Sequence, residues 1–245
     1  MYTISDIARI ISASQEIILN EDPIHGLLID SRNLTRTEGI LFFAIKGERH
    51  DAHEFLSDIY EKGIRNFVVN ELPGNAEMEF ADSNFLVVED TLVALHTLAA
   101  FHRKQFSYPV IAITGSNGKT IVKEWLWQLL RDDYSIVRSP KSYNSQVGVP
   151  LSVWQMNLSN DLAIFEAGIS RIGEMEKLKV ILQPQIAILT NIGSAHDENF
   201  SGREQKANEK IKLLKGAETV IACKGNALKQ AIIDRVNWTG PLPEH

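Results

Sequence analysis

Residues 109–125, which read PVIAITGSNGKTIVKEW, constrain the fold more than any other stretch of the chain. Val110–Ile113 is a short apolar run rich in β-branched residues, which predicts a buried strand. A small polar loop follows, with a glycine at each end, and Lys119 and Thr120 then open a run whose apolar residues recur at helical spacing. A strand, a glycine loop and a helix in this order predict a phosphate-binding loop.

The chemistry of such a loop depends on its backbone. The loop residues are Gly115, Ser116, Asn117 and Gly118. The two glycines allow a sharp turn that brings N–H groups close to a phosphate, and the helix N-terminus adds further unpaired N–H groups. Lys119 would place a positive charge at the β- and γ-phosphates, and the Thr120 hydroxyl would bind Mg²⁺. The loop is shorter than the common G-x-x-x-x-G-K-[ST] pattern, because Ile113 stands where that pattern has its first glycine.

The amino-acid composition limits the classes of protein to which the chain can belong. The chain has 245 residues, of which 44% are hydrophobic and 23% charged, as expected of a globular protein with one or two domains. A net charge of −6 disfavours a nucleic-acid-binding role, which usually needs a basic face. We expect no membrane span, because no apolar run reaches about 18 residues. A single cysteine and the lack of a secretory signal at the N-terminus favour a reducing compartment, the cytoplasm.

Strand and helix patterns alternate along the chain, which predicts an α/β fold with a mostly parallel sheet flanked by helices. A predicted helix from Thr91 to about Gln105 is followed by Pro109, which cannot continue a helix. We therefore expect a small N-terminal α/β domain over residues 1–106. Residues 107–245 then form a second domain built on a parallel sheet.

Three side chains are candidates for chemistry beside the phosphate-binding loop. Glu166 ends a predicted strand, His196 follows the predicted strand Ile186–Thr190, and Lys210 lies on a charged helix predicted over Arg203–Leu214. Ligands of parallel sheets bind beyond the carboxyl ends of the strands, and a carboxylate there is a natural Mg²⁺ ligand. The alternatives are a solvated acid, an exposed loop histidine and a solvated helix face.

Further motifs add a resemblance that covers most of the chain. They are DSR (Asp30–Arg32), GILFFAIKGERHDAH (Gly39–His53), TGSNGKT (Thr114–Thr120), YNSQVGVP (Tyr143–Pro150), EAG (Glu166–Gly168) and NIGSAH (Asn191–His196), with Lys210 after them. On these motifs the chain resembles the Mur ligases, the ATP-dependent amide-bond-forming enzymes of peptidoglycan synthesis. The resemblance also accounts for the short loop, because TGSNGKT is the form that this family uses.

The resemblance implies a role for each matching residue. It implies ATP on the loop from Gly115 to Thr120, with Lys119 on the phosphates, and Mg²⁺ on Thr120, with a second Mg²⁺ on Glu166 and His196. It implies that Lys210 is carbamylated, so that its carbamate oxygen becomes a further metal ligand. Lys119, Glu166, His196 and Lys210 would then be the catalytic residues. The substrate-binding residues that it implies are Ser31 and Arg32 near the UDP end, and Asn144 and Ser145 in the cleft.

The DSR and GILFFAIKG motifs together are most similar to the family member that adds D-alanyl-D-alanine to UDP-N-acetylmuramoyl-tripeptide through an acyl phosphate. The preceding ligase, which adds the diamino acid, and a nucleotide-binding module without catalysis are the alternatives. The resemblance implies an incomplete central domain and a C-terminal ligase domain elsewhere in a longer polypeptide, which in some members is fused to an alanine racemase. We therefore expect residues 1–245 alone to turn over little or not at all.

Overall fold

The computed structural model of the chain describes residues 2–30, 36–47, 50–74, 76–193 and 199–222. Two compact units divide between His102 and Arg103. Three of the candidate residues, Ser31, Arg32 and His196, lie outside the described residues, as does a helix predicted over Asn226–Arg235. None of the helices in the described ranges has the length and apolar character needed to cross a membrane.

The first unit is a mixed α/β layer. Its elements are α1 (Ile4–Ile11), β1 (Gln15–Ile17), β2 (Gly26–Leu28), β3 (Ile40–Phe43), a 3-10 turn (Ala52–Phe55), α2 (Leu56–Glu61), β4 (Asn66–Val69), α3 (Ala76–Glu79), β5 (Asn84–Val87) and α4 (Thr91–Arg103). The described strands form one sheet in the order β1-β5-β4-β3-β2, parallel except for the β1–β5 pair. A buried aromatic cluster joins three phenylalanines of the sheet, Phe42, Phe67 and Phe85, to Phe80, which follows α3.

The GERHDAH stretch of the first unit contains an Asp–His pair that looks catalytic but is occupied by structural bonds. Asp51 Oδ1 lies 2.6 Å from His53 Nδ1, and the other imidazole nitrogen, Nε2, accepts a hydrogen bond from the Asn70 N–H at 3.0 Å. The His53 backbone N–H is the largest cause that lowers the pKa of the Asp51 carboxyl to about 2. Because both ring nitrogens have partners, the pair fixes the 3-10 turn against β4.

The second unit contains the predicted parallel sheet. Its elements are β6 (Val110–Thr114), α5 (Lys119–Leu130), β7 (Ile136–Arg138), α6 (Gly148–Val153), β8 (Leu162–Glu166), α7 (Glu174–Leu182), β9 (Ile186–Leu189), α8 (Arg203–Ile211) and β10 (Thr219–Ala222). Every strand pair is parallel, in the order β10-β9-β6-β8-β7, which places β6 at the centre of the described sheet. The predicted α/β fold class is therefore confirmed.

Helices cover both faces of this sheet. Because side chains alternate along a strand, Ile186 and Ile188 pack in the cluster that faces α5, whereas Ala187 and Leu189 pack in the cluster that faces α8. Only some of the apolar residues that recur at helical spacing in α5 face the sheet. Val122, Leu126 and Leu130 contact the sheet, while Ile121, Trp125 and Leu129 are more than half exposed.

Candidate functional site

Three neighbouring strands of the second unit end at one edge of the sheet. The central strand β6 pairs in parallel with β8 on one side and with β9 on the other. Parallel strands carry their carboxyl ends to the same edge, so the loop after Thr114, the side chain of Glu166 and the residues after Leu189 converge there. The phosphate-binding loop and Glu166 are thus brought together, as the sequence predicted.

The conformation of the loop depends on the end of β9. Gly115 and Gly118 have positive φ angles of 142° and 82°. A Cβ atom on Gly115 would lie 2.0 Å from Thr190 Oγ1, so only glycine fits there. Asn191 accepts a hydrogen bond from the Ser116 N–H at its carbonyl (2.8 Å) and another from the Asn117 N–H at its Oδ1 (3.1 Å). Sequence reasoning missed the roles of Thr190, the last residue of the predicted strand, and of Asn191, which follows it.

Two lysines from distant parts of the chain meet at one backbone oxygen of the loop. The Gly115 carbonyl accepts hydrogen bonds from Lys119 Nζ at 2.9 Å and from Lys210 Nζ at 3.2 Å. Burial lowers the pKa of Lys119 from its ordinary value, and the negative charge of Glu166 opposes that shift. Two positive groups at the mouth of a glycine loop form a strong attraction for a polyphosphate.

Lys210 is buried, with 2% of its surface exposed, so the solvated-helix interpretation is wrong. Burial, with smaller contributions from the charges of Lys119 and Lys206, lowers the pKa of Lys210 to about 8. The neighbouring Glu209 fixes α8 against α7, because its Oε1 accepts hydrogen bonds from the N–H groups of Gly173 (2.8 Å) and Met175 (3.2 Å). Lys210 is therefore held in place as an amine with an unusually large neutral fraction.

Glu166 is completely buried, so its interpretation as a solvated acid is also wrong. Its Oε2 accepts hydrogen bonds from Thr120 Oγ1 at 3.0 Å and from Asn144 Nδ2 at 3.4 Å. Its Oε1 lies 3.0 Å from Nζ of Lys123, a fully buried lysine that the sequence analysis overlooked.

The oxygens of Thr120 and Glu166 fit a single Mg²⁺. Neighbouring ligands of an octahedral Mg²⁺, at bond lengths of about 2.1 Å, lie about 2.9 Å apart, close to the 3.0 Å between Thr120 Oγ1 and Glu166 Oε2. The described residues contain no cluster of three or more His, Cys, Asp or Glu side chains that could hold a metal. An ion here would take one carboxylate and one hydroxyl from those residues, and Mg²⁺ readily accepts such a site when phosphate and water oxygens complete it.

A cleft of about 370 Å³ joins these groups to the candidate substrate residues. Lys119, Asn144, Ser145 and Lys210 all line it. Ser145 also has a structural role, because its Oγ accepts a hydrogen bond from the Gly148 N–H at the start of α6. Two other clefts lie beside α7 and α8, and none of their lining residues belongs to the loop.

Comparison with known proteins agrees with this geometry. Residues 113–237 match the Mur ligase middle domain, and residues 23–103 match the Mur ligase family, catalytic domain. The chain belongs to the Mur ligase family. Over 193 residues it is 33% identical to the UDP-N-acetylmuramoyl-tripeptide--D-alanyl-D-alanine ligase of Bacillus subtilis, a match that covers 79% of this chain and 41% of that relative.

Solved structures of Mur ligases resemble the chain as well. A crystal structure of MurF from Acinetobacter baumannii superposes with a TM-score of 0.85 at 29% identity, over 96% of this chain and 51% of that one. MurF ligase from Thermotoga maritima in complex with ADP gives a TM-score of 0.73 at 27% identity, over 86% of this chain and 49% of that one. The chain therefore spans about half the length of the Mur ligases that it matches.

Proposed function

We propose that the chain is the N-terminal and middle part of an ATP-dependent ligase that joins D-alanyl-D-alanine to UDP-N-acetylmuramoyl-tripeptide. The observation that carries the proposal is the arrangement of Lys119, Thr120 and Glu166 at the end of the central strand. A lysine, a hydroxyl 3.0 Å from a buried carboxylate, and a glycine loop suit the bound triphosphate of ATP with Mg²⁺. The similarity to relatives named for this reaction favours it over the preceding ligase.

In the proposed reaction the terminal carboxylate of the tripeptide attacks the γ-phosphorus of ATP. The bond to the bridging oxygen breaks, ADP leaves, and an acyl phosphate forms. The amine of D-alanyl-D-alanine then attacks the acyl carbon, phosphate leaves with the bonding electrons, and the amide nitrogen loses a proton. Lys119 would stabilise the charge that spreads over the transferred phosphoryl oxygens. Mg²⁺ would supply further charge neutralisation at the phosphates.

The remaining residues would bind and orient. We assign Gly115, Ser116, Asn117 and Gly118 to the phosphates, Thr120 and Glu166 to one Mg²⁺, and Asn144 and Ser145 to the cleft that receives the peptide. Ser31 and Arg32 keep the roles at the UDP end that the family resemblance implies. His196 keeps its place at a second Mg²⁺, to which the resemblance also assigns Glu166. We expect the reaction to take place in the cytoplasm, in keeping with a chain that has a single cysteine.

Lys210 would act as a carbamate. A carbamate forms when a neutral amine attacks CO₂ and loses a proton, and the lowered pKa of Lys210 raises its neutral fraction near neutral pH. The modification would also replace a positive charge beside Lys119 and Lys206 by a negative one, which removes a repulsion and adds a hard oxygen ligand for Mg²⁺.

The rest of the reaction would need a longer polypeptide, because the chain spans about half the length of its relatives. A C-terminal ligase domain would supply the remaining contacts to the incoming dipeptide. Fusion to an alanine racemase stays a prediction.

The decisive experiment measures phosphate release by the full-length polypeptide that contains this chain. We expect ATP-dependent release only when UDP-N-acetylmuramoyl-tripeptide and D-alanyl-D-alanine are both present. With UDP-N-acetylmuramoyl-dipeptide and a diamino acid, release should stay at background. Release with that second pair alone would assign the chain to the preceding ligase. Tight ATP binding without release under either condition would favour a nucleotide-binding module.

Substitution of Gly115 by alanine should weaken ADP binding to the full-length polypeptide by at least about tenfold, because the added methyl group would collide with Thr190 and push the loop N–H groups out of position. Gly173→Ala is the matched control, since Gly173 also has a positive φ of 85° but has open space where the added methyl group would lie. Isothermal titration with ADP measures both variants. If ADP binding weakened equally in both variants, the cause would be general backbone strain and not the collision with Thr190.

A further inference from the structure

The fully buried Lys123 lies behind the candidate metal ligand Glu166, one turn along α5 from Lys119. Its Nζ is 3.0 Å from Glu166 Oε1. The same ammonium donates hydrogen bonds to the carbonyls of Ser139, at 2.9 Å, and of Lys141. A buried lysine without partners would be strongly unfavourable, so two carbonyl acceptors and the ion pair with Glu166 indicate that the fold provides a specific site for this ammonium.

The bonds of Lys123 close a ring around the Glu166 carboxylate. Its Oε1 faces Lys123, while its Oε2 faces Thr120 and Asn144. The backbone that Lys123 holds at Ser139 continues into the segment that carries Asn144. Ser139 adds a further tie, because its Oγ accepts a hydrogen bond from the Glu166 N–H at 3.1 Å. The carboxylate is thus fixed from both sides, with one oxygen assigned to the lysine and the other to Thr120.

We propose that Lys123 is a positioning residue, which orients Glu166 so that Oε2 is presented together with the Thr120 hydroxyl to the Mg²⁺ of the bound nucleotide. The proposal rests on the proposed function and deepens it. Without Lys123 the buried carboxylate would lose its nearest positive charge, and the torsion of its terminal group would no longer be fixed. Partners that orient a ligating carboxylate typically change metal affinity about 10- to 100-fold.

The test compares ADP binding to the full-length polypeptide by isothermal titration with and without Mg²⁺. The ratio of the two dissociation constants measures how strongly Mg²⁺ tightens binding. In Lys123→Met this ratio should fall by about tenfold or more, while Mg²⁺-free binding should change by less than about threefold, because Lys119 and the loop remain. Glu166→Gln should lower the ratio similarly. A merely structural role would instead weaken both conditions together.

Glu124→Gln is the matched control. Glu124 Oε1 is 3.3 Å from the same ammonium and also pairs with Arg138 of β7. This variant should keep the wild-type ratio within about twofold, since glutamine keeps an oxygen in the side chain and Lys123 keeps its contacts with Ser139, Lys141 and Glu166. A Lys123→Met protein with the wild-type ratio would overturn the proposal.

A loss of folding must be distinguished from a weaker effect of Mg²⁺ on ADP binding. The midpoint of thermal unfolding, followed by circular dichroism of the full-length polypeptide, reports whether each variant folds. If Lys123→Met does not fold, Lys123→Arg decides, because it keeps the charge but cannot place one compact ammonium among three oxygens. A wild-type ratio in that variant refutes the positioning role. If the wild-type protein binds no ADP, the proposed function fails. If it binds ADP but neither Lys123→Met nor Lys123→Arg changes the ratio of dissociation constants, the inference alone fails.

Discussion

Replacement of Lys119 by alanine should lower substrate-dependent phosphate release by the full-length polypeptide at least about 100-fold, the usual cost of removing one preorganised charge from a transition state. The ammonium lies beside the loop, where it bonds to the Gly115 carbonyl at 2.9 Å. Its loss would remove a positive charge from the proposed site of phosphoryl transfer, while the Gly115 carbonyl keeps its hydrogen bond from Lys210 Nζ. Steady-state phosphate release at saturating substrates measures the effect on kcat.

Lys177→Ala is the control for this prediction. Lys177 is an exposed lysine of α7, so its removal changes the net charge equally without touching the loop. It should retain nearly full activity. If Lys119→Ala were as active as this control, the assignment of residues 115–120 to the phosphates would be wrong.

Replacement of Lys210 by alanine should also reduce turnover at least about 100-fold, because the variant would lose the oxygen ligand that the proposed carbamate provides for Mg²⁺. The expected cause is the loss of one oxygen ligand, which an added small molecule can replace. A short carboxylate such as formate or acetate should fill the space left by the side chain and restore part of the activity. Lys215→Ala, at an exposed position shortly after α8, is the control that should need no rescue.

The carbamate itself is observable without turnover. With a pKa of about 8, rather than 10.5, Lys210 has a neutral fraction at pH 7.5 of roughly one quarter instead of roughly 0.1%. The neutral fraction rises with pH, so carbamylation at constant CO₂ should rise from pH 6.5 to 8.5. Protein equilibrated with ¹³C-labelled bicarbonate should give a carbamate carbon signal that Lys210→Ala lacks. Loss of activity without that signal would leave Lys210 as a charged phosphate contact.

Buried strands were predictable because each is a short run of apolar residues that is visible in the local sequence. The strand Leu162–Glu166, which is buried along its whole length, ends at Glu166 as the sequence predicts. The strand Gln15–Ile17 was missed, because it is largely exposed and polar and exists through its antiparallel pairing with β5. Likewise α6 begins at Gly148, before Pro150 rather than after it, since a proline in the first helical turn needs no N–H.

The candidate site was predictable to the level of residue type and strand position. The loop follows β6 and Glu166 ends β8, and the alternation of strands and helices predicted a parallel sheet whose strand ends share one edge. The residues that contact Glu166 could not be predicted. Nothing in the sequence distinguishes Lys123 from the other polar residues of its helix, and only the fold places it beside Glu166. The burial of Lys210 also depends on tertiary structure, namely the packing of α8 that Glu209 fixes against α7.

The central position of β6 has a thermodynamic consequence for ligand affinity. Contacts within the site join residues 46 positions apart, as between Thr120 and Glu166, and 95 positions apart, as between Gly115 and Lys210. Such contacts exist only in molecules whose parallel strands have paired in the correct register, since a slip by one residue turns every side chain to the opposite face. Nucleotide affinity is therefore linked to the cooperativity of the whole sheet. A cavity opened between β9 and α8 would weaken binding once it destabilises the fold enough to deplete the competent population.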